Sequence, residues 1–276
     1  MPNPREAILD LYGSFIRDFG GWIAVADLIR LLDTLDIEQA SSRSAISRMK
    51  RSGYLQPSPR GGIAGYSLTA GAAEWFADGD QRILERRGSV THTRWVLASF
   101  SVPEDERSMR YRIRARLGAM GFGQASGGLM VAPIAVMAET QRTLRREHLE
   151  SYVTLWDAGH VGFGSTADMV ASAWDLTAIR SAYDSYIAAQ APVLAAPDSV
   201  VLEDREAFRR YVANVNAWRA LPYLDPGLPL AALPDHWPGS EAAHLFDSLA
   251  ARLRPGAWRW FVGVCSQNQR AGARAG

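Results

Sequence analysis

Apolar positions recur at three- and four-residue spacings from the start of the chain. Ile8, Leu11, Tyr12, Phe15, Ile16 and Phe19 form one such stripe, the mark of a helix with one buried face, and Gly20-Gly21 ends it. A short apolar run, Trp22 to Val25, leads to Leu28, Ile29, Leu31 and Leu32, which predict a second helix. From Glu38 to Ser52 there is no Gly or Pro, Ile46 and Met49 face inward, and Gly53 stands where a helix C-terminus favours glycine. Tyr54–Gln56 and Gly65–Thr69 then read as short strands separated by Pro57, Pro59, Gly61 and Gly62, a hairpin. Three helices followed by a hairpin is the order of a winged helix-turn-helix, with Arg43 to Tyr54 supplying the recognition helix.

Further along, Ala70 to about Arg86 predicts another helix, and the charged stretch Glu85–Ser89 a domain boundary. Trp95–Val102 reads as a strand and Glu104–Met120 as a helix stopped by Gly121. Two short strands follow around Gly127-Gly128, then a helix over Val136–Glu150 and a strand over Tyr152–Trp156. This βαββαβ order suggests a ferredoxin-like α+β unit. Beyond Asp168 only helical periodicity remains, over Trp174–Ala189, Asp204–Leu221 and Ser240–Leu253, with a Pro-rich link from Leu221 to Pro238. The expected organisation is therefore α+β and multidomain: a winged helix over 1–88, a ferredoxin-like domain over 89–167, a helical domain over 168–265 and a disordered tail over 266–276.

With 276 residues the chain is long for a single core. Its apolar fraction of 47 % and net charge of +1 describe an ordinary globular chain without a global pull toward nucleic acid, so any basic surface is local. The longest nearly apolar stretch, Leu129–Ala138, is interrupted by Pro133 and is half of the roughly 20 residues a membrane span needs. The charged first helix lacks the apolar core of a secretory signal. Cys265 stands alone, so no intrachain disulfide is expected, which fits a reducing cytoplasm.

Local charge is informative where global charge is not. Between Glu38 and Glu74 there is no carboxylate, yet Arg43, Arg48, Lys50, Arg51 and Arg60 all fall there. On a helix, Arg43 and Ser47 share a face, as do Ser44 and Arg48, with Arg51 one turn on. Duplex recognition uses this combination. Arginine takes guanine O6 and N7 bidentately, whereas hydroxyls and lysine mostly fix register on phosphates. Arg60, at the hairpin tip, is placed to meet a flanking groove or phosphate. A merely solvated basic face is the plain alternative.

The run Gln39–Leu55 resembles the recognition helix of the PaaX family, repressors of phenylacetic acid degradation operons. So do Leu11–Phe15 with Gly20-Gly21, Trp174–Ile179, Trp218-Arg219, Tyr223–Pro229 and His236–Gly239. These pieces fall in order across residues 5 to 264. The resemblance implies a winged helix, a central domain like the small CRISPR spacer-acquisition nuclease subunit, and a helical C-terminal domain. It further implies homodimers on palindromic double-stranded operator DNA, released by an aryl-acyl-coenzyme A. Two positions depart from the pattern: Ser42, where relatives usually carry an aliphatic residue, and Asn216, where they often carry His.

For that effector the candidate residues are Arg112, Arg116, Trp218 and Arg219. Arg110, Arg112, Arg114 and Arg116 crowd one central helix and Arg142, Arg145 and Arg146 the next, cations suited to coenzyme A phosphates. Ion pairs with nearby carboxylates are the equally open reading. The competing function is a metal-dependent nuclease built on the ferredoxin-like domain. Such a site wants an Asp at the end of the first strand, where Ser101, Val102 and Pro103 stand instead. No nucleophile elbow, phosphate loop or paired metal-spaced Cys occurs, so no catalytic residue, metal or cofactor is expected. The five His are scattered, with His148 and His160 bracketing one strand.

Overall fold

A computed structural model describes residues 3–80, 82–83, 94–195 and 202–273. The expected domain boundary at Glu85–Ser89 lies outside the described residues. The fold is α+β, with two antiparallel sheets among the helices. The described residues form two compact units. One takes those between 1 and 81, 189 and 218, and 244 and 276, and the other those between 82 and 188, and 219 and 243. The helices between residues 168 and 265 contribute to both units.

In the first unit, α1 (Pro4–Leu11) continues through a wider π turn at Tyr12–Ile16, followed by β1 (Trp22–Ala24), α2 (Val25–Thr34) and α3 (Gln39–Arg51). Next come β2 (Leu55–Pro57), β3 (Gly65–Leu68) and α4 (Ala70–Asp80). The strands pair in the order β1-β3-β2. Sequence pattern treats Trp22 to Val25 as an apolar run. Pairing with β3, Trp22 opposite Ser67 and Ala24 opposite Gly65, makes it a strand.

The centre of this unit is Phe15, fully buried. Its ring lies 5.5 Å from Phe208 and 5.3 Å from Tyr211 on α9 (Asp204–Trp218). It lies 6.2 Å from Trp258 and 5.2 Å from Phe261 on α11 (Gly239–Ala273). These separations suit offset and tilted aromatic packing. The same burial explains why α11 runs through Pro255, past the expected end at Leu253. Trp258 and Phe261 gain their packing only if the helix continues.

The second unit carries β4 (Arg94–Phe100), α5 (Arg107–Ala119), β5 (Gly123–Ser126), β6 (Leu129–Pro133), α6 (Met137–Arg146) and β7 (Val153–Gly159). Glu104–Glu106 forms a separate 3-10 turn before α5. The sheet order is β5-β6-β4-β7, every neighbouring pair antiparallel. Val96, Ala98, Met130 and Ala132 face Ile113 and Leu117 of α5 and Leu144 of α6 in one core. Beyond β7 lie α7 (Thr166–Ala173), α8 (Leu176–Ala195), which crosses into the first unit, and the short α10 (Leu221–Leu224). The Trp174 indole donates to the Gly121 carbonyl at 3.0 Å, and a Cβ at Gly123 would lie 2.8 Å from the same ring.

Truncating Phe15 removes the shared partner of four rings. Phe15→Ala is expected to lower unfolding free energy by about 3–5 kcal/mol in urea titration. A loss under about 1 kcal/mol would show that the ring cluster is not the stabilising centre.

Candidate nucleic-acid interface

Helix α3 divides cleanly. Ser42, Ala45, Ile46 and Met49 are buried, and Arg43, Ser44, Ser47, Arg48, Lys50 and Arg51 are all exposed. Its C-terminus closes with two reverse bonds, Tyr54 N–H to the Met49 carbonyl at 2.9 Å and Gly53 N–H to the Lys50 carbonyl at 3.2 Å. This cap requires the left-handed backbone of Gly53, at φ +75°. Along the exposed face Arg48 donates from Nη1 to the Ser44 Oγ at 2.7 Å, so its guanidinium lies back over the preceding turn. The Ser42 hydroxyl, at the position that departs from the family pattern, is buried with no hydrogen-bond partner among the described residues.

The hairpin places Arg60. Arg60 and Ile63 exchange two backbone bonds, 3.1 and 2.9 Å, around Gly61 and Gly62, both at positive φ, the two-residue turn that suits twisted strands. The Arg60 guanidinium sits 5.2 Å from the Trp22 ring centroid. Trp22 is fixed in turn, because its indole N–H donates to the Ser58 carbonyl and its ring covers Gly65. Sequence reasoning found Arg60 but not its support. The signal was a Trp in the short apolar run Trp22–Val25, too short to identify as a strand alone.

Among the described residues none of Arg43, Arg48, Lys50, Arg51 and Arg60 forms an ion pair. The central arginines differ. Arg116 is paired with the Glu147 carboxylate, Arg112 donates to the Glu147 carbonyl at 3.3 Å, Arg114 to the Gly127 carbonyl at 2.8 Å and Arg110 to the Val102 carbonyl at 3.3 Å. Arg112 and Arg116 therefore meet at the C-terminal end of α6. Trp218 is 3 % exposed in the first unit and stacks on Phe246 at 5.0 Å, while Arg219 is half-buried in the second.

The remaining motif residues have local partners. Asp225 accepts from the Tyr183 hydroxyl at 3.3 Å, the Trp237 indole at 3.1 Å and the backbone of Gly227 and Leu228 at 3.1 and 3.0 Å. Burial, and then the Asp225 carboxylate, raises the Tyr183 phenol far above its usual range, so it stays a donor. His160 shares its Nδ1 with the Thr166 hydroxyl at 3.2 Å beside a cleft of about 230 Å³ lined by Trp95, Leu97, Val131 and Val161. Among the described residues no group of three His, Cys, Asp or Glu is placed to hold a metal, and no helix is long and apolar enough to cross a membrane.

Three family models match in succession: PaaX-like protein over residues 3–72, PaaX protein central Cas2-like domain over 90–170 and PaaX-like protein C-terminal domain over 174–263. The transcriptional repressor PaaX of Escherichia coli (strain K12) is 26 % identical over 257 residues, covering 91 % of this chain and 80 % of that protein. The solved structure of the uncharacterized protein Rv0674 from Mycobacterium tuberculosis superposes with a TM-score of 0.56 at 20 % identity. It covers 92 % of this chain and 97 % of that one, a likeness of fold.

At Gly65 a Cβ would lie 2.4 Å from the Trp22 ring. Gly65→Ala is expected to cost about 1–3 kcal/mol and to shift Trp fluorescence as the indole is displaced. Unchanged thermal unfolding with an unchanged spectrum would show that the ring does not depend on this contact.

Proposed function

The chain belongs to the PaaX family, and from that premise we propose that it is a transcriptional repressor of a catabolic operon that binds duplex operator DNA through α3. On this reading α1 to α3 with the β1-β3-β2 sheet form a winged helix-turn-helix, α3 its recognition helix and the Arg60 hairpin its wing. The observation that carries the proposal is the set of five cations on α3 and the hairpin that form no ion pair among the described residues, in a chain whose net charge is only +1. Arg48, held by Ser44, is assigned to a guanine edge. Arg43, Lys50, Arg51, Ser44 and Ser47 are assigned mainly to phosphates and register. The relative named above is a repressor, which does not favour the nuclease alternative.

We read the second unit's β5-β6-β4-β7 sheet, with α5 and α6 on one face, as ferredoxin-like. A dimer on a palindrome follows from the short half-site that one winged helix reads. The opposite sheet face supports that reading. Trp156 of β7 is exposed there, Val161 lines the apolar cleft, and Val161 and Phe163 in the loop after β7 are almost completely exposed. Together they offer on the order of 400 Å² per copy. Two copies would supply roughly half of the about 1,200–2,000 Å² of a stable interface. A two-fold pairing lets each loop meet the other copy's cleft.

For the effector, an acyl-coenzyme A thioester, Arg112, Arg116, Trp218 and Arg219 remain the proposed residues. Because Glu147 already occupies Arg112 and Arg116, a ligand phosphate would have to replace it, and Trp218 would have to leave its stack. Binding of that kind selects a different conformation, the requirement for release.

Arg48→Ala is expected to weaken binding to a duplex selected by the wild-type chain by about 1–3 kcal/mol and to relax preference at one base pair. Equal losses on selected and random duplexes in the gel shift would make Arg48 a phosphate contact. Adding acyl-coenzyme A thioesters, free acids or free coenzyme A to the same assay tests the effector, and release by free acids alone would reject the phosphate role of the arginines. Phe163→Asp should move a sedimenting dimer toward monomer. A wild-type monomer, or a variant dimer of undiminished strength, would count against the proposed face.

A further inference from the structure

Helix α9 touches the DNA-reading helices through one face. Phe208 and Tyr211 pack on Phe15, and Asn216 donates to the buried Asp10 carboxylate of α1 at 2.8 Å. Between them, Arg209 reaches the turn that joins α2 to α3. Its Nη1 donates to the Thr34 carbonyl at 2.7 Å and to the Asp36 Oδ1 at 2.9 Å, while Nη2 takes the other oxygen of the same carboxylate. Thr34 is the last residue of α2, so its carbonyl has no acceptor role left within the helix, and a cation there also suits the helix dipole. Asp36 stands at φ +58°, the left-handed backbone that reverses the chain.

We infer that Arg209, 173 positions away in sequence, is a positioning residue for DNA recognition, locking the α2–α3 turn and so the pose of α3. The inference rests on the DNA-binding reading. Two further features support it. The N-cap residue of α3, Glu38, makes no side-chain capping bond, so beside the backbone bonds of the turn and the buried Leu35 and Ile37 the Arg209 bonds are the side-chain hold at the entry to the helix. The pair is also partly solvated, with Arg209 and Asp36 side chains 31 % and 46 % exposed, and such pairs add little to global stability. Its consequence is geometric. Arg209 also lies near Glu206, one turn back at 3.8 Å, which keeps the guanidinium charge balanced on its own helix. The Arg209 hydrogen bonds hold the Asp36 carboxyl below the usual carboxylate range, so the pair stays charged at neutral pH.

The test compares Arg209→Gln, Arg209→Lys and Asp36→Asn with the wild type, using a duplex selected by the wild-type chain and a random-sequence duplex. Asn tolerates the left-handed backbone, so Asp36→Asn removes the charge and leaves the turn. Each variant is expected to lose about tenfold in affinity for the selected duplex, with random-duplex affinity and thermal midpoint unchanged. Arg209→Lys should not rescue, because an ammonium cannot bridge both carboxylate oxygens and the carbonyl. The double variant should lose no more than either single one, and amide exchange at Ile37–Ser42 should quicken selectively. Equal losses on both duplexes, a falling thermal midpoint that accounts for the loss, or unchanged exchange at the turn would overturn the latch. If the wild type binds no duplex, the DNA reading falls and the latch with it. If it binds and the variants match it, only the latch falls.

Discussion

Everything in the first unit depends on the ring of Phe15. The three helices and short sheet that carry the basic face are small, and small assemblies bury too little apolar surface to be stable alone. Phe208, Tyr211, Trp258 and Phe261 supply the missing layer from segments two hundred residues downstream. Polar contacts follow the same seam: Arg254 donates to the Ser14 carbonyl and the Tyr211 hydroxyl, each at 3.3 Å, and pairs with Asp18 at 2.8 Å. Closing so long a loop costs entropy that grows only slowly with length, so a dense aromatic cluster offsets it. A unit built this way is sensitive to whatever happens in the C-terminal helices that complete it.

The arginines fall into two populations with different physical roles. On α5, α9 and α11 several are committed to carboxylates within their own unit, as Arg116 to Glu147, Arg209 to Asp36 and Arg259 to Asp204. On α3 and the hairpin the cations form no ion pair among the described residues, and the sequence places no carboxylate beside them between Glu38 and Glu74. Net charge averages these populations to nearly zero and conceals the difference. Surface cations without counter-charges keep their full field for an external polyanion, whereas paired ones have already given it up.

Several residues that carry the family resemblance act as folding devices. Asp225 gathers four donors and thereby shapes the Pro-rich link. Gly121, at φ +87°, sits beneath Pro226, and Trp174 fills the space left by Gly123. Arg82, 1 % exposed at the entry to the second unit, pairs with Glu139 at 3.0 Å, donates to the Met120 carbonyl at 2.8 Å and lies 4.5 Å from the Tyr223 ring centroid. A buried guanidinium needs a charge partner, since leaving it uncompensated would cost several kcal/mol.

The local elements were legible in the sequence because their causes are local. Glycine at position 53 permits the α3 cap, Gly61-Gly62 permits the hairpin turn, and helical periodicity marks α1 to α3, all within a few residues of chain. The acid-free stretch likewise identified the candidate site, since charge is a property of composition. Tertiary structure alone decided the rest. Three residues at Trp22–Ala24 become a strand only when β3 donates its hydrogen-bonding edge, and α11 passes Pro255 because Trp258 and Phe261 have Phe15 to bury. Which arginines stay free, and that Arg209 meets Asp36, depend on side chains far apart in sequence. Backbone preference reaches only a few residues along the chain, whereas packing and ion pairing depend on proximity in space, which no local pattern encodes.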